Sequence, residues 1–236
     1  MLEVLILAGG LATRLKPHTE KIPKSLVQVC GKPFIYHQLD LMLTQGVKRV
    51  IMSVGHYGEM IEKELGRRYK GQIEIDYAYD GEVLLGTGGA IQNSLDKIKE
   101  NYFIITYGDS YLLEPMSNII STFNHREYDA ILTVYKNKNH WDKSNCIYES
   151  GRVVLYDKEN PTPDMHYIDY GMSIFNKKTF ESKIINKPYD LAKIMNGLSK
   201  SKRLAGYEAK SRFYEMGSHN GLAELDAYLR NVNNEN

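Results

Sequence analysis

Residues 7–33 constrain this chain more than any other segment, and they read LAGGLATRLKPHTEKIPKSLVQVCGKP. The apolar run Val4–Leu7 leads directly into this segment and predicts a buried first strand. The pair Gly9–Gly10 then lets the backbone come close to a flat or anionic ligand. Two cations, Arg14 and Lys24, follow on the same connection. A buried strand that opens into a glycine-rich loop with fixed cations can hold a polyphosphate at the carboxyl edge of a sheet.

Two widespread nucleotide-binding patterns do not fit this chain. A Walker A loop needs glycine where Leu26 stands and serine or threonine where Pro33 stands. The segment Gly86–Ile91 is the nearest candidate for a dinucleotide-binding fingerprint, but it lacks the third glycine and no clean strand precedes it. The loop after the first strand therefore indicates phosphate binding of another kind.

Bulk properties exclude several classes of protein. The 236 residues can bury one full core, and a net charge of +1 argues against a nucleic-acid binder with a basic face. No apolar run approaches the roughly 20 residues that span a bilayer, and the amino terminus does not resemble a signal peptide. Cys30 and Cys146 match no metal or redox spacing. We expect a reduced, cytoplasmic protein that binds neither nucleic acid nor membrane.

Apolar runs alternate with helical patterns through the first half of the chain. Strands are predicted at Val4–Leu7, Val50–Val54, Ile73–Tyr77, Tyr102–Thr106 and Ala130–Tyr135. Helices are predicted at Pro33–Gln45, Tyr57–Leu65, Gly89–Lys99 and Met116–Arg126. This rhythm is typical of an α/β fold with a parallel sheet and helices on both faces. Ligands should then lie beyond the carboxyl ends of the strands, where the Gly9 loop and the pair Gly108–Asp109 fall.

The rhythm changes after about residue 136. Short strands are predicted at Cys146–Tyr148, Arg152–Tyr156 and Tyr167–Phe175, and helices at Asp190–Leu198 and Gly221–Arg230. Ser218 should cap the last helix. Asp109, at the end of an apolar strand, is well placed to bind Mg²⁺ beside phosphates, although a plain turn aspartate would look similar.

Several motifs then recur in a fixed order. They are Gly9-Gly10-x-x-Thr13-Arg14-Leu15, Thr19-x-x-x-Pro23-Lys24-Ser25-Leu26 and Gly31-Lys32-Pro33. Together they resemble the signature of the sugar-1-phosphate nucleotidylyltransferases, also called NDP-sugar pyrophosphorylases. Ala12 stands where that family usually has a third glycine. Because alanine adopts positive φ poorly, we expect an ordinary backbone conformation at Ala12.

The resemblance implies a three-layer, Rossmann-like nucleotidyltransferase fold with a mixed, mostly parallel central sheet and a small sugar-side β element. It implies a single domain, 1–236, in which residues 1–135 bind the nucleotide and residues 136–236 bind the sugar and add a carboxyl-terminal helix. The substrates would be a nucleoside triphosphate and a sugar 1-phosphate, with Mg²⁺ as the cofactor. Whether the chain forms a homodimer is left open.

The resemblance also assigns residues to roles. Catalysis would rest on Arg14, Lys24 and Asp109. Nucleotide contacts are expected from Leu7, Ala8, Gly9, Gly10, Thr13, Arg14, Lys24, Glu82, Gly86, Thr87 and Gly108. Sugar-phosphate contacts are expected from Gly88, Asn145, Asp157, Lys158, Asp169 and Gly171. The metal ligands would be Asp109 and Glu215.

Three of these positions depart from the family pattern. Glu215 replaces the usual aspartate of the late metal-binding segment, and Asp157 replaces a glutamate before the sugar-binding lysine. Asp169 replaces an asparagine that binds sugar hydroxyls, and a carboxylate can accept from hydroxyls but cannot donate.

The remaining expectations concern phosphate chemistry and a glycine-rich segment. Arg14 suits the leaving pyrophosphate because its planar fork binds phosphate in bidentate fashion, and Lys24 suits the α-phosphate and the incoming phosphate as a point charge. The alternative is that Arg14 and Lys24 are solvated surface cations.

The three glycines of Gly86–Gly89 would permit close approach of the backbone to the base and sugar.

Three readings stay open at this stage. The chain looks most like the guanylyltransferases for heptose or mannose 1-phosphate, which favours GTP, while uridylyl, thymidylyl and cytidylyl transfer remain alternatives. Glu215 and Asp169 would also suit a nucleotide-sugar-binding module without turnover. A choline-phosphate-type cytidylyltransferase would need an aromatic cage, for which Trp141 and nearby tyrosines are candidates.

Overall fold

The computed structural model describes residues 3–81, 83–181 and 188–234 of the chain. The strands are β1 (Glu3–Leu7), β2 (Gln28–Val29), β3 (Lys32–Pro33), β4 (Arg49–Val54), β5 (Arg68–Tyr69), β6 (Ile73–Tyr79), β7 (Tyr102–Tyr107), β8 (Ser110–Leu112), β9 (Ala130–Lys136), β10 (Cys146–Glu149), β11 (Arg152–Tyr156), β12 (Tyr167–Asn176), β13 (Leu204–Glu208) and β14 (Phe213–Glu215). The helices are α1 (Phe34–Thr44), α2 (Gly58–Leu65), α3 (Gly86–Asn93), α4 (Met116–Thr122), α5 (Lys178–Glu181), α6 (Leu191–Lys200) and α7 (His219–Asn234).

Ten of these strands, counted over the described residues, form one mixed sheet in the order β10-β11-β13-β9-β12-β7-β1-β4-β6-β5. Strands β7, β1, β4 and β6 run parallel to one another, and so do β9 and β13. The long strand β12 is antiparallel to both of its main neighbours, β7 and β9. The predicted mixed α/β sheet is confirmed, with its continuous parallel block built from the first half of the chain.

Apolar alternation along β1 explains the three layers. Val4 and Ile6 point into one apolar cluster, which includes Ile35 and Leu39 of α1, while Leu5 points into the other. That second cluster includes Ile194 of α6. A parallel strand that is apolar on both sides must be covered on both faces. Helices accordingly cover the two faces of the sheet.

Helix α7 packs on a third apolar cluster instead of on the sheet. Its Leu225 and Leu229 are buried with Leu15, Val27 and Phe34, which lie in and after the amino-terminal loop. The carboxyl-terminal helix therefore holds down the segment that follows β1. Because that segment carries Arg14 and Lys24, the packing of α7 contributes to the shape of the site.

Most predicted elements lie within two residues of the observed ones, and the differences have local causes. Helix α3 begins at Gly86, three residues before the predicted start, and gives way at Asn93 to a 3₁₀ turn at Leu95–Lys97. Strand β6 continues two residues beyond Tyr77, which brings Asp80 to its carboxyl end. The predicted cap of α7 is confirmed, because Gly221 N donates to Ser218 Oγ at 3.0 Å.

The expectation of an ordinary conformation at Ala12 is wrong. Ala12 has φ 51° and ψ 37°, in the left-handed region. Its carbonyl accepts hydrogen bonds from Thr19 Oγ1 at 2.7 Å and from Leu15 N at 3.2 Å. These bonds offset the roughly 1 kcal/mol or more that a left-handed alanine costs. The turn that presents Arg14 therefore has a backbone conformation that usually requires glycine, although alanine occupies the position.

The described part of the chain contains no helix that is long and apolar enough to cross a bilayer. Cys146 is buried and Cys30 is half-buried, and these two cysteines form no disulfide bond. The single-domain boundary, the cytoplasmic location and a homodimer stay predictions.

Candidate active site

The parallel block places the sequence-predicted loops at one edge, as expected. The Gly9 loop follows β1 and Gly108–Asp109 follows β7, and the two connections meet where Gly108 N donates to Leu7 O at 2.9 Å. A side chain at Gly108 would lie 2.9 Å from Ala8 Cβ, so only glycine allows this approach. Between these loops and the start of α3 lies a first cavity of about 240 Å³.

Eight of the predicted nucleotide-binding residues line the first cavity. They are Leu7, Ala8, Gly9, Gly10, Lys24, Gly86, Thr87 and Gly108. Arg14 lies in a second cavity, described next, and Thr13 is exposed. Glu82 lies outside the described residues.

A second cavity, of about 670 Å³, opens beside the first and is lined in part by residues of strands β11, β12 and β14. The predicted residues on its wall are Arg14, Asn145, Lys158, Asp169, Gly171 and Glu215. Asp109 and Tyr107 line both cavities, so the two spaces meet at the end of β7. The geometry provides two adjoining compartments with a carboxylate at their junction.

Two predicted sugar-side residues lie elsewhere. Asp157 Oδ1 accepts hydrogen bonds from Glu159 N at 3.0 Å and Asn160 N at 2.8 Å, so its carboxylate caps its own turn. Gly88 lies under the ring of Tyr189 and not on the second cavity's wall.

Lys24 and Asp109 form the charged pair at the junction. Lys24 Nζ donates to Asp109 Oδ2 at 2.8 Å, and the side chains are 19% and 29% exposed. Within the described part of the chain, the second carboxylate oxygen of Asp109 accepts only a long hydrogen bond, 3.3 Å, from Ser110 Oγ. Asp109 therefore keeps acceptor capacity for a further cation or donor.

Strand pairing brings Glu215 to the same place. Strand β14 pairs antiparallel with β8 so that Glu215 faces Ser110, and Met216 N donates to Asp109 O at 2.9 Å. The Glu215 carboxylate accepts hydrogen bonds from Gly217 N and from Ser218 Oγ, the latter at 2.8 Å. The longer side chain of a glutamate folds back onto its own loop in this arrangement.

The charged groups surround the backbone of Gly217. An added Cβ there would lie 2.5 Å from Glu215 Oε2, 3.4 Å from Arg14 Nη2 and 3.6 Å from Lys24 Nζ. Two cations and the carboxylate of Glu215 thus meet around one glycine, next to Asp109. This is a dense cluster of opposite charges at the meeting point of the two cavities.

The donor set at this cluster fits Mg²⁺. The carboxylates of Asp109, in the turn before β8, and Glu215, at the end of β14, are the kind of ligands that Mg²⁺ uses together with phosphate oxygens and water. Among the described residues there is no group of three or more His, Cys, Asp or Glu side chains that could hold a metal alone. The cluster therefore suits a metal ion that arrives with phosphates more than one held in an all-protein cage.

On the wall of the second cavity, Asp169 is held in one orientation. Gly171 N donates to Asp169 Oδ1 at 2.8 Å, and Asp169 N donates to Asn145 Oδ1 at 3.0 Å. Burial raises the pKa of Asp169 from 3.8 to about 6, against the opposing effects of Gly171 N and the charge of Lys158. Asp169, Asn145 and Lys158 thus offer an acceptor, an amide and a cation on one wall.

The glycines of α3 are required mainly for close packing against another segment of the chain, and less for contact with a ligand. A Cβ at Gly86 would lie 2.5 Å from Tyr189 O. Tyr189 N donates to Leu85 O and Gly88 N donates to Tyr189 O, both at 3.0 Å. Asp190 Oδ1 accepts from Thr87 Oγ1 at 2.9 Å. Gly86 and Thr87 do line the first cavity, but Gly88 packs against Tyr189, which corrects the expectation that all three glycines approach a ligand.

Sequence reasoning missed Gln38. It is 3% exposed on α1, and its Nε2 donates to Tyr107 O at 2.8 Å and Ser110 O at 2.9 Å. These carbonyls bracket Gly108 and Asp109, so Gln38 holds their turn from behind. The available signal was a lone amide three residues after Ile35, on the apolar face of α1.

Sequence reasoning also missed Ser25, Ser53 and Asp80, all of which line the first cavity. Each has a buried side-chain oxygen without a hydrogen-bond partner in the described part of the chain. The signal for Asp80 was its place just after a strand, which the predicted end at Tyr77 obscured.

Trp141 does not form an open aromatic cage. The Arg212 guanidinium carbon lies 3.6 Å from the ring centroid of Trp141 and 4.2 Å from that of Tyr214. The same guanidinium is paired with Glu224 at 2.6 Å. The two aromatic faces are thus covered by a cation of the chain itself.

Comparison with known proteins places these features in context. The family profile described as "Nucleotidyl transferase" matches residues 3–229. D-glycero-alpha-D-manno-heptose 1-phosphate guanylyltransferase from Aneurinibacillus thermoaerophilus is 29% identical over 217 residues, which cover 92% of this chain and 93% of that protein. Mannose-1-phosphate guanyltransferase beta-B from Xenopus laevis is 27% identical over 98% of this chain and 66% of its own length.

Solved structures agree with the sequence comparison. The crystal structure of HddC from Yersinia pseudotuberculosis complexed with GMP-PN has a TM-score of 0.81 and 27% identity, with 97% of this chain and 100% of that chain covered. A putative glucose-1-phosphate thymidylyltransferase from Bacillus anthracis has a TM-score of 0.85 at 19% identity, with 98% of this chain and 96% of that chain covered, and therefore shares the fold.

Proposed function

The chain belongs to the nucleotidyl transferase family, and on that basis we propose that it transfers a guanylyl group from GTP to a hexose or heptose 1-phosphate. The products are a GDP-sugar and pyrophosphate. The observation that carries the proposal is the Lys24–Asp109 pair at the junction of two cavities. Relatives named as heptose and mannose 1-phosphate guanylyltransferases support the choice of base and sugar class.

The two cavities divide the substrates between them. The first, walled by Gly9–Gly10 and the start of α3, takes the nucleotide, and the second, with Lys158 and Asp169, takes the sugar phosphate. The reacting phosphorus then lies at the junction, beside Lys24 and Asp109. Holding two reactants in fixed positions supplies much of the rate enhancement in such a reaction.

The reaction is one displacement at phosphorus. A phosphate oxygen of the sugar 1-phosphate attacks the α-phosphorus of GTP, and the bond from that phosphorus to the α–β bridging oxygen breaks. The bridging oxygen leaves with both electrons as part of pyrophosphate. Lys24 neutralises charge on the α-phosphate and the attacking phosphate, while Arg14 binds the leaving pyrophosphate through its planar fork.

Asp109 and Glu215 would hold Mg²⁺. When bound, the ion supplies charge neutralisation for the phosphates of the nucleotide. The chain's own part is to keep the two carboxylates adjacent, through the β8–β14 pairing and the Met216–Asp109 hydrogen bond.

The alternatives have less support. Arg14, Lys24, Asp109 and Lys158 all line the two cavities, which favours a working enzyme over a binding module without turnover. A cationic headgroup would need the aromatic faces that Arg212 covers. Uridylyl, thymidylyl and cytidylyl transfer differ only in the base contacts.

The test is pyrophosphate release with Mg²⁺, each of GTP, UTP, dTTP, CTP and ATP, and a panel of sugar 1-phosphates. Release that requires GTP together with a hexose or heptose 1-phosphate is expected. Release with another nucleotide would refute the guanylyl assignment. Nucleotide binding without release for any pair would favour the binding module.

A further inference from the structure

Three buried polar atoms converge on the first cavity without a hydrogen-bond partner in the described ranges of the chain. They are Ser25 Oγ, Ser53 Oγ and Asp80 Oδ1. Buried polar groups in proteins are nearly always hydrogen-bonded, and an unpaired carboxylate oxygen is the costliest exception. Asp80 is therefore the group on this wall with the strongest need for a donor.

Strand order places Asp80 at the end of the cavity opposite the phosphates. Asp109 follows β7, and the parallel strands β1, β4 and β6 come next in the sheet, with Asp80 directly after β6. Three strand spacings amount to about 14 Å, which is the scale of a nucleotide extended from its phosphates to the edge of its base. With the phosphates at Lys24 and Asp109, the base reaches Asp80.

The carboxylate is fixed beneath the glycine loop. Asp80 N donates to Val54 O at 2.9 Å, which continues the β4–β6 ladder by one residue. A Cβ at Gly9 would lie 3.2 Å from Asp80 Oδ2, so the glycine lets the loop pack directly against this carboxylate. Leu85 N reaches Asp80 Oδ2 only at 3.5 Å. Burial accordingly raises the pKa of Asp80, with this weak hydrogen bond as the opposing effect.

We propose that Asp80 selects guanine by accepting hydrogen bonds from its N1–H and its 2-amino group; this inference rests on the proposed guanylyl transfer. Guanine presents two adjacent N–H donors on one edge, which match the two oxygens of a carboxylate. Adenine has an acceptor at N1, and cytosine has an acceptor beside its amino group. Uracil and thymine present one N–H between two carbonyls, which a carboxylate would repel.

The decisive experiment compares GTP with xanthosine triphosphate. Xanthine has a carbonyl in place of the 2-amino group, so Asp80 disfavours it, whereas the amide of an Asp80→Asn variant can donate to that carbonyl and accept from N1–H. In this variant we expect kcat/KM with GTP to fall about 10- to 100-fold and kcat/KM with xanthosine triphosphate to rise. The control is Asp96→Asn, which removes an exposed carboxylate away from both cavities. It should leave the ratio of the kcat/KM values for GTP and xanthosine triphosphate unchanged.

The wild-type protein supplies a second measurement that needs no variant. Inosine triphosphate lacks only the 2-amino group, and we expect it to bind about tenfold more weakly than GTP in isothermal titration. Equal binding of GTP and inosine triphosphate, or an unchanged GTP-to-xanthosine ratio in Asp80→Asn, would overturn the role of Asp80 while leaving guanylyl transfer standing. Wild-type turnover of another nucleotide in place of GTP would overturn both.

Discussion

Lys24 Nζ lies 2.8 Å from Oδ2 of Asp109, although 85 positions separate the two residues in the chain. One residue belongs to the connection after β1 and the other follows β7, the neighbouring strand. Both side chains keep contact with solvent, and partly exposed ion pairs contribute about 1 kcal/mol or less to stability. The pair therefore matters for the charges it positions at the junction of the two cavities more than for the fold.

The first prediction is that Asp109→Asn lowers kcat/KM at least about 1000-fold, because it removes a charge aimed at the phosphates. The melting temperature should change little, since the lost ion pair is partly exposed. Pyrophosphate release and thermal unfolding measure the two effects, with Asp96→Asn as the matched control. Near-wild-type turnover in Asp109→Asn would remove this carboxylate from the reaction.

The second prediction separates the two roles of Glu215. Glu215→Gln keeps groups that can hydrogen-bond to Gly217 N and Ser218 Oγ, so the loop should stay folded. The Mg²⁺ concentration for half-maximal rate should rise at least about tenfold, because an amide is a poor ligand for Mg²⁺. Glu215→Asp should be tolerated, and Glu215→Ala should lower activity by orders of magnitude. Identical Mg²⁺ titrations for wild type and Glu215→Gln would show that this residue only caps the loop.

The third prediction compares two glutamines, Gln38 within helix α1 and Gln45 directly after it. Gln38→Met loses both hydrogen bonds to the carbonyls around Asp109, whereas Gln45→Met loses the one that Gln45 Oε1 accepts from Met116 N at 2.7 Å. Each change should cost about 1–3 kcal/mol of stability. We expect kcat to fall about tenfold only in Gln38→Met, because a small displacement of Asp109 slows the reaction. Equal kcat values in the two variants would assign Gln38 a purely structural role.

Local signals were sufficient for most of the fold. Strand β1 and helix α1 are read directly from an apolar run and from a helical apolar pattern that ends at Gly46. The positions of the Gly9 loop and Asp109 followed from the rule that ligands lie at the carboxyl ends of parallel strands. These inferences need only the order of elements along the chain.

The misses required contacts between distant segments. Ala12 is left-handed because Thr19, seven residues later, holds its carbonyl, and Gly88 is glycine because Tyr189, about a hundred residues later, lies over it. Gln38 and Asp80 acquire roles only once the sheet brings the ends of β7 and β6 to one edge. Sequence periodicity contains no information about such pairs.

The fourth prediction tests the contact between Gly88 and Tyr189. Gly88→Ala places a methyl group where the Tyr189 ring lies, so we expect a loss of about 1–3 kcal/mol in the free energy of unfolding. Gly197→Ala is the matched control, because among the described residues no atom beyond its chain neighbours and the backbone of α6 lies within 4 Å of the added Cβ. It should stabilise by about 0.5–1 kcal/mol. Urea denaturation measures both. Adding Tyr189→Ala should relieve most of the Gly88→Ala loss, and strictly additive effects would contradict the contact.

The fifth prediction follows from the raised pKa of Asp169. Because its pKa is about 6 in the folded protein and 3.8 when unperturbed, the folded state holds the proton more tightly. The contribution of this group to stability is therefore full below pH 4, declines as the pH rises to about 6, and is constant above. A pKa difference of about two units corresponds to at most about 2–3 kcal/mol in the free energy of unfolding.

An Asp169→Asn variant lacks this titration, since its amide stays neutral. We expect it to be more stable than wild type at pH 7.5, with the difference in free energy of unfolding vanishing near pH 4. The same substitution should raise the KM for the sugar phosphate, because a carboxylate accepts more strongly from hydroxyls than an amide does. A gain in stability coupled to a loss of acceptor binding would mean that the buried charge is kept for the substrate at the expense of the fold. A stability difference that does not depend on pH would instead show that the packing of Asp169, and not its buried charge, lowers the stability of the wild-type protein.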